Sequence, residues 1–107
     1  VDRIKQERLK ARAAILKAIA HPTRLYILEK LSGGEMCVND LTRRIGSDVS
    51  TVSKHLALLK TAGIISDEKR GLRVFYRLTT PCVLGFFGCV ETVLESRARE
   101  QLRLAKK

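Results

Sequence analysis

Two short runs of helical apolar spacing, joined through one glycine, constrain this chain more than any other feature. Val38, Leu41 and Ile45 recur at intervals of three and four and stop at Gly46, while Val52, Leu56 and Leu59 recur in the same way after Ser47 or Asp48. Either of those two residues suits a helix N-cap. Two helices joined by a few residues containing a glycine carry the signature of a helix-turn-helix pair, and the rest of the chain must be read around that pair.

No repeat, low-complexity stretch or Pro/Gly/Ser-rich linker divides the chain, which predicts one domain over 1–107. Ile4, Ala11, Ile15 and Ala18 give the segment from about 2 to 20 a helical stripe, which His21-Pro22 stops. Pro22 suits the first position of a second helix, with Leu25, Leu28 and Leu31 on its inner face and Gly33-Gly34 at its end. After Gly63, "IISDE" and "RVFYRL" read as two strands, with Val74, Tyr76 and Leu78 on one face, joined through Lys69-Arg70-Gly71-Leu72.

A last helix starts at Thr80-Pro81. It carries one stripe of Cys82, Phe86, Cys89 and Val93 and a second of Val83, Phe87, Val90 and Leu94. Two stripes call for two partners, one within the domain and one on a second subunit, so the expectation is a dimer built on this helix with the first helix alongside. The class is mainly α with a small β-hairpin.

Twenty-one Lys and Arg against eleven Asp and Glu leave a net charge of +10, which points to a polyanionic partner, nucleic acid first. The exposed face of the fourth helix offers Ser50, Thr51, Ser53, Lys54 and His55 to base edges and phosphates, and the hairpin adds Lys69, Arg70 and Arg73. Each has a plainer alternative. Hydroxyls at Ser50 and Thr51 can satisfy local backbone donors, His55 can be a structural histidine, and the hairpin charges can be turn solvation.

The chain shows no N-terminal apolar run with a cleavage site and no apolar stretch long enough to cross a bilayer, so a cytoplasmic protein without a membrane partner is expected. In a reducing compartment three thiols suit metal binding or redox sensing better than a disulfide framework. A phosphate loop, a His/Asp partner pattern and a catalytic carboxylate pair are all missing, which argues against an enzyme.

"AHPTRLYILEKL", "EMCVNDL", "STVSKHLALLKTAGII" and "KRGLRVFYRL", in that order and spacing, resemble the winged helix-turn-helix repressors of the ArsR/SmtB family over nearly the whole chain. The resemblance implies an α-α-α-α-β-β-α fold and a homodimer formed through the first and last helices. It further implies binding to double-stranded operator DNA when empty and release by an inducer, usually a metal or metalloid. On the same basis a recognition helix at about 48–61 carries Ser50 to His55, a wing at about 64–78 carries Lys69 to Arg73, and a dimerisation helix spans about 80–105.

Arsenic-responsive members of that family typically carry "ELCVCDL" where this chain has "EMCVNDL", so Cys37 matches the first cysteine and Asn39 replaces the second. The acidic and histidine ligands of zinc-sensing relatives are missing from the last helix. Soft ligands remain, and trivalent arsenic or antimony bound by three sulfurs leads to a site of Cys37, Cys82 and Cys89. Positions seven apart in a regular helix lie about 10.5 Å apart along its axis, so a shared ion requires distortion near Pro81, Gly85 and Gly88. Cys37 can come from either subunit. The alternatives are a redox or sulfur-species (persulfide) sensing repressor, and cysteines that simply fill the core.

Overall fold

The computed structural model describes residues 1–106, which form helices α1 (Arg3–Ile19) and α2 (Pro22–Leu31), strand β1 (Met36–Cys37), helices α3 (Val38–Ile45) and α4 (Val49–Thr61), strands β2 (Ile65–Arg70) and β3 (Arg73–Leu78), and helix α5 (Val83–Ala105). Local chemistry sets most of these boundaries. Pro22 opens α2 behind His21, whose Nδ1 accepts from the Thr23 amide at 3.1 Å. Of the two candidate caps for α4, Asp48 is the one used, its carboxylate accepting from the Thr51 amide at 2.7 Å. Gly46 ends α3 with φ at 79°, a left-handed conformation that costs a residue with a Cβ and lets the chain reverse into α4.

The hairpin loop is only Gly71-Leu72, since Arg70 pairs with Arg73, and the positive φ of Gly71 (62°) suits a two-residue loop opening on glycine. Lys69 and Arg70 therefore belong to the strand and not to the loop. Two further boundaries differ from the sequence expectation. Residues 80–82 form a turn, with the amides of Val83, Leu84 and Gly85 bonded three residues back to Thr80, Pro81 and Cys82, so the regular last helix begins at Val83.

The second difference is β1, which was not expected. Met36 and Cys37 pair antiparallel with Tyr76 and Phe75, giving a three-stranded sheet in the order β1-β3-β2. Two residues carry no period to read. They become a strand because the free edge of β3 offers backbone partners to the segment entering α3.

The core lies between α2, α3, α4 and the start of β2. Ile27, Leu28, Leu41, Val52, Leu56 and Leu59 are fully buried, with Tyr76 and Leu78 of the hairpin and Val83 and Phe87 of α5 packed on its margin. Ile27 occupies an inner position expected of Leu25, which is 39% exposed. The apolar stripe of α1 is open to solvent at Ile4, Ala11 and Ile15, and Ile19 is the buried residue of that helix.

Helix α5 has no buried residue among those described. Val83 and Phe87 meet the protomer's own core, while Phe86, Val90, Val93 and Leu94 are exposed. The radius of gyration is accordingly 17.3 Å, against roughly 13 Å for a compact domain of this length. An apolar groove of about 650 Å³, lined by Leu16, Leu25, Leu84, Phe86 and Val90, runs between α1, α2 and α5.

Leu56→Ala should lower unfolding stability by about 2–5 kcal/mol through the cavity it leaves, and Gly46→Ala by about 1–2 kcal/mol through backbone strain. Urea denaturation of each variant measures both, and a Gly46→Ala protein as stable as the parent would contradict the left-handed turn.

Candidate nucleic-acid interface and thiol positions

Helix α4 is divided lengthwise by burial. Val52, Leu56 and Leu59 are fully buried, and Ser50, Thr51, Ser53 and Lys54 are exposed on the opposite side. Two of these side chains relate to the helix start. Hydrogen bonds from the Thr51 backbone and then from its hydroxyl hold the Asp48 carboxyl below the usual carboxylate range, with Lys54 adding to the effect. Thr51 therefore has a capping role in the free protein. The anchored carboxylate and the positive end of the helix present a short polar turn from which Ser50, Ser53 and Lys54 project.

His55 does not share that outward face. It is half-buried, its ring centroid 4.5 Å from that of His21, and its Nδ1 is buried with no hydrogen-bond partner among the described residues. Burial first, then the neighbouring His21 and Arg24, depress its pKa below the ordinary 6.5. Of the two readings of residue 55, exposed DNA contact or structural histidine, its place beside Leu56 at the border of the buried stripe goes with the second, although its Nδ1 has no hydrogen-bond partner among the described residues. His21, the ring it meets, comes from the α1–α2 junction.

On the hairpin, Lys69 and Arg73 are exposed, and among the described residues neither forms an ion pair. Arg70 is engaged differently. It makes a two-pronged contact with Glu35, the second prong at 3.0 Å, and reaches Glu68 at 2.9 Å, with its guanidinium 4.8 Å from the centre of the Phe75 ring. The Arg70 hydrogen bond in turn holds the Glu35 carboxyl below the usual range. Sequence reasoning passed over Glu35, since only the unexpected β1 pairing brings it near the hairpin.

The three cysteines occupy three different settings. Cys37 is 2% exposed at the junction of β1 and α3, and its thiol, then Arg43, hold the Asp40 carboxyl below the usual range. A cavity of about 350 Å³ beside it is lined by Asn39, Asp40, Arg43, Val49 and Arg73, so it opens between α3, α4 and the hairpin. Cys82 is exposed in the tightened turn before α5, and Cys89 is exposed on α5 itself. Of the two expected stripes, the one carrying Val83 and Phe87 is the one that meets the chain's own core, and Cys82, Phe86, Cys89 and Val93 are exposed. Among the described residues no three His, Cys, Asp or Glu side chains come close enough to hold a metal ion, so one protomer does not gather the three thiols.

Comparison with known proteins places this geometry among regulators. The profile of "Bacterial regulatory protein, arsR family" matches residues 21–67, from the start of α2 into β2. The chain is 39% identical over 66 residues to the transcriptional repressor SdpR of Bacillus subtilis (strain 168), covering 62% of this chain and 73% of that protein. It is 30% identical over 105 residues to the nodulation protein NolR of Rhizobium meliloti, covering 96% and 86%. The solution structure of the homodimeric winged helix-turn-helix DNA-binding domain Mb0332 from Mycobacterium bovis superposes with a TM-score of 0.78 at 29% identity, covering 94% of this chain and 93% of that one.

The depressed pKa of His55 has a definite sign. Below pH 6.5 the unfolded chain takes up this proton before the folded one does, so stability falls as pH drops from 6.5 towards the folded value. Urea midpoints at about pH 7.5 and 5.5 should therefore differ, and His55→Gln should reduce that difference. An unchanged pH dependence in the variant would assign it to other groups.

Proposed function

Because the chain belongs to the ArsR family of bacterial regulatory proteins, we propose that it is a homodimeric repressor that binds a roughly palindromic operator and is released by trivalent arsenic or antimony. The coarser part follows directly: it is a winged helix-turn-helix DNA-binding regulator, and its relatives are transcriptional repressors, not enzymes. Among the described residues no helix is long and apolar enough to cross a membrane.

The carrying observation is the combination of a half-buried α4 with the basic hairpin after it. With Val52, Leu56 and Leu59 held in the core, Ser50, Ser53 and Lys54 are the groups available to enter a major groove, and Lys69 and Arg73 are available to adjacent phosphates. Thr51, occupied at the cap, contributes through its backbone position and methyl group. His55 drops out of direct contact and serves as a joint between α4 and the α1–α2 junction.

Dimerisation is supported by the groove between α1, α2 and α5 and by the exposed Phe86, Val90, Val93 and Leu94, since an apolar surface of this kind on a helix with no buried residue requires a cover. A second copy supplies one by symmetry, as in the homodimeric Mb0332 domain. It also doubles the DNA contacts.

For the inducer, Cys82 and Cys89 are open to a thiophilic ligand and Cys37 is the buried third sulfur. Three-sulfur binding then has to assemble the site, either by drawing the tightened turn at Cys82 inward or by bringing Cys37 from the other subunit, and either movement would be felt at α3 and α4. A second reading, sensing of oxidants or sulfur species, is favoured by one observation: Cys82 and Cys89 are both exposed while Cys37 is covered. That reading needs only Cys82 and Cys89, bridged through additional sulfur.

Operator affinity should fall steeply with salt, and Lys54→Ala should weaken binding across all sequences and reduce the slope of log K against log salt by about 1 for each phosphate that the variant no longer neutralises. Titration of the reduced protein with trivalent arsenic should release DNA, and Cys37→Ser, Cys82→Ser and Cys89→Ser should each abolish or strongly weaken that release while leaving DNA binding intact. X-ray absorption should find three sulfurs around arsenic. Full arsenic response in Cys37→Ser, with polysulfide response abolished in Cys82→Ser and Cys89→Ser, would instead establish the two-thiol reading.

A further inference from the structure

Arg70 crosses the whole sheet. Side chains alternate along a strand, so the pairing of Glu68 with Phe75, of Arg70 with Arg73 and of Cys37 with Phe75 puts Glu68, Arg70, Phe75 and Cys37 on one face, and Glu35, two residues before Cys37, shares it. From the end of β2 the Arg70 side chain lies over Phe75 of the middle strand and grips Glu35, the residue just before β1. The grip ties the outer end of the hairpin to the segment that enters α3. Beyond the Arg70–Arg73 pair the hairpin has only Gly71-Leu72, and Lys69, next to Arg70 along β2, and Arg73, opposite it on β3, form no ion pair among the described residues.

We propose that Glu35 is a positioning residue for DNA binding, acting through Arg70: the strap from β2 over Phe75 to Glu35 sets the angle of the wing against α4 and so delivers Lys69 and Arg73 to phosphates, while Arg70 itself makes no phosphate contact. The inference rests on the reading of α4 and the hairpin as the DNA surface. A guanidinium whose prongs are taken by two carboxylates has little donor capacity left for a phosphate, and its stacking on Phe75 fixes its plane. An exposed ion pair alone contributes little, but a two-pronged, ring-stacked pair joined to a second carboxylate restrains the outer end of the hairpin.

Charge makes the test decisive, because the two explanations differ in sign. Glu35→Ala raises the net charge from +10 to +11, so if Glu35 were merely an acid near DNA its removal would tighten binding. Positioning requires the opposite. On a duplex operator selected from random sequence by the parent protein, Glu35→Ala should weaken binding roughly three- to tenfold, counting one strap per subunit, and Arg70→Ala combined with it should add little. The exchanged pair Glu35→Arg with Arg70→Glu, which keeps the net charge, should recover most of the affinity.

In the free protein, hydrogen exchange of the β2 and β3 amides near the loop should accelerate in Glu35→Ala and return towards the parent rate in the exchanged pair. Tighter or unchanged binding in Glu35→Ala, or an exchanged pair as weak as Arg70→Ala, would overturn the proposal. Unaltered hydrogen exchange would overturn the strap itself. A parent protein that selects no operator would instead remove the DNA-binding reading, while the exchange rates would still decide whether the strap holds the hairpin.

Discussion

The burial of Val52, Leu56 and Leu59 sets the rotation of α4 and with it the direction of every polar group on that helix. Helical side chains have fixed angular positions, so once these three are locked against α2 and α3 the polar residues between them have no choice of direction. Ser50, Ser53 and Lys54 are outward because their neighbours are inward. Gly46 and the Asp48 cap act before this packing, bringing α4 to the core at a suitable angle, and Thr51 is drawn into the cap as a result.

The same core leaves the ends of the chain incomplete. It has room for Ile19 from α1 and for the edges of Val83 and Phe87 from α5, and the remaining apolar surface of both helices projects beyond it. The chain has a radius of gyration of 17.3 Å and an apolar groove open between α1, α2 and α5. The His21–His55 contact lies where the two parts meet, close to the Arg24 side chain, which donates to the Ala18 carbonyl at 2.7 Å and so ties the end of α1 to the start of α2. A movement of α1 against α2 therefore has a short mechanical path to α4, through packed side chains and not through solvent.

Positive charge on this surface is unequal in kind. Lys54, Lys69 and Arg73 are exposed without ion-pair partners among the described residues, whereas Arg70 is consumed by Glu35 and Glu68. The net charge of +10 attracts a polyanion from a distance, but the disposition of carboxylates decides which cations can make contact. Thiols differ in the same way. Cys37, opposite Phe75 in the sheet and beside Asp40, is covered, while Cys82 and Cys89 are open.

Period and punctuation determined much of this protein by themselves. Helical spacing ended by His21-Pro22, Gly33-Gly34 and Gly46, and alternation around Gly71, are local properties in which backbone preference and burial agree, so five helices and a hairpin could be read directly, with the outward face of α4 and the resemblance to a repressor family. The tertiary structure alone decided what depends on residues distant in sequence. Strand β1 has no period because it has two residues, and it exists only because β3 has a free edge. Glu35 gained a role only when that pairing brought it to Arg70, thirty-five positions away. His55 looked outward by position and turned half-inward because His21 was there to meet it. Spacing along a helix says which residues share a face, but whether that face meets solvent, another element or a second chain is set by contacts that no local pattern contains.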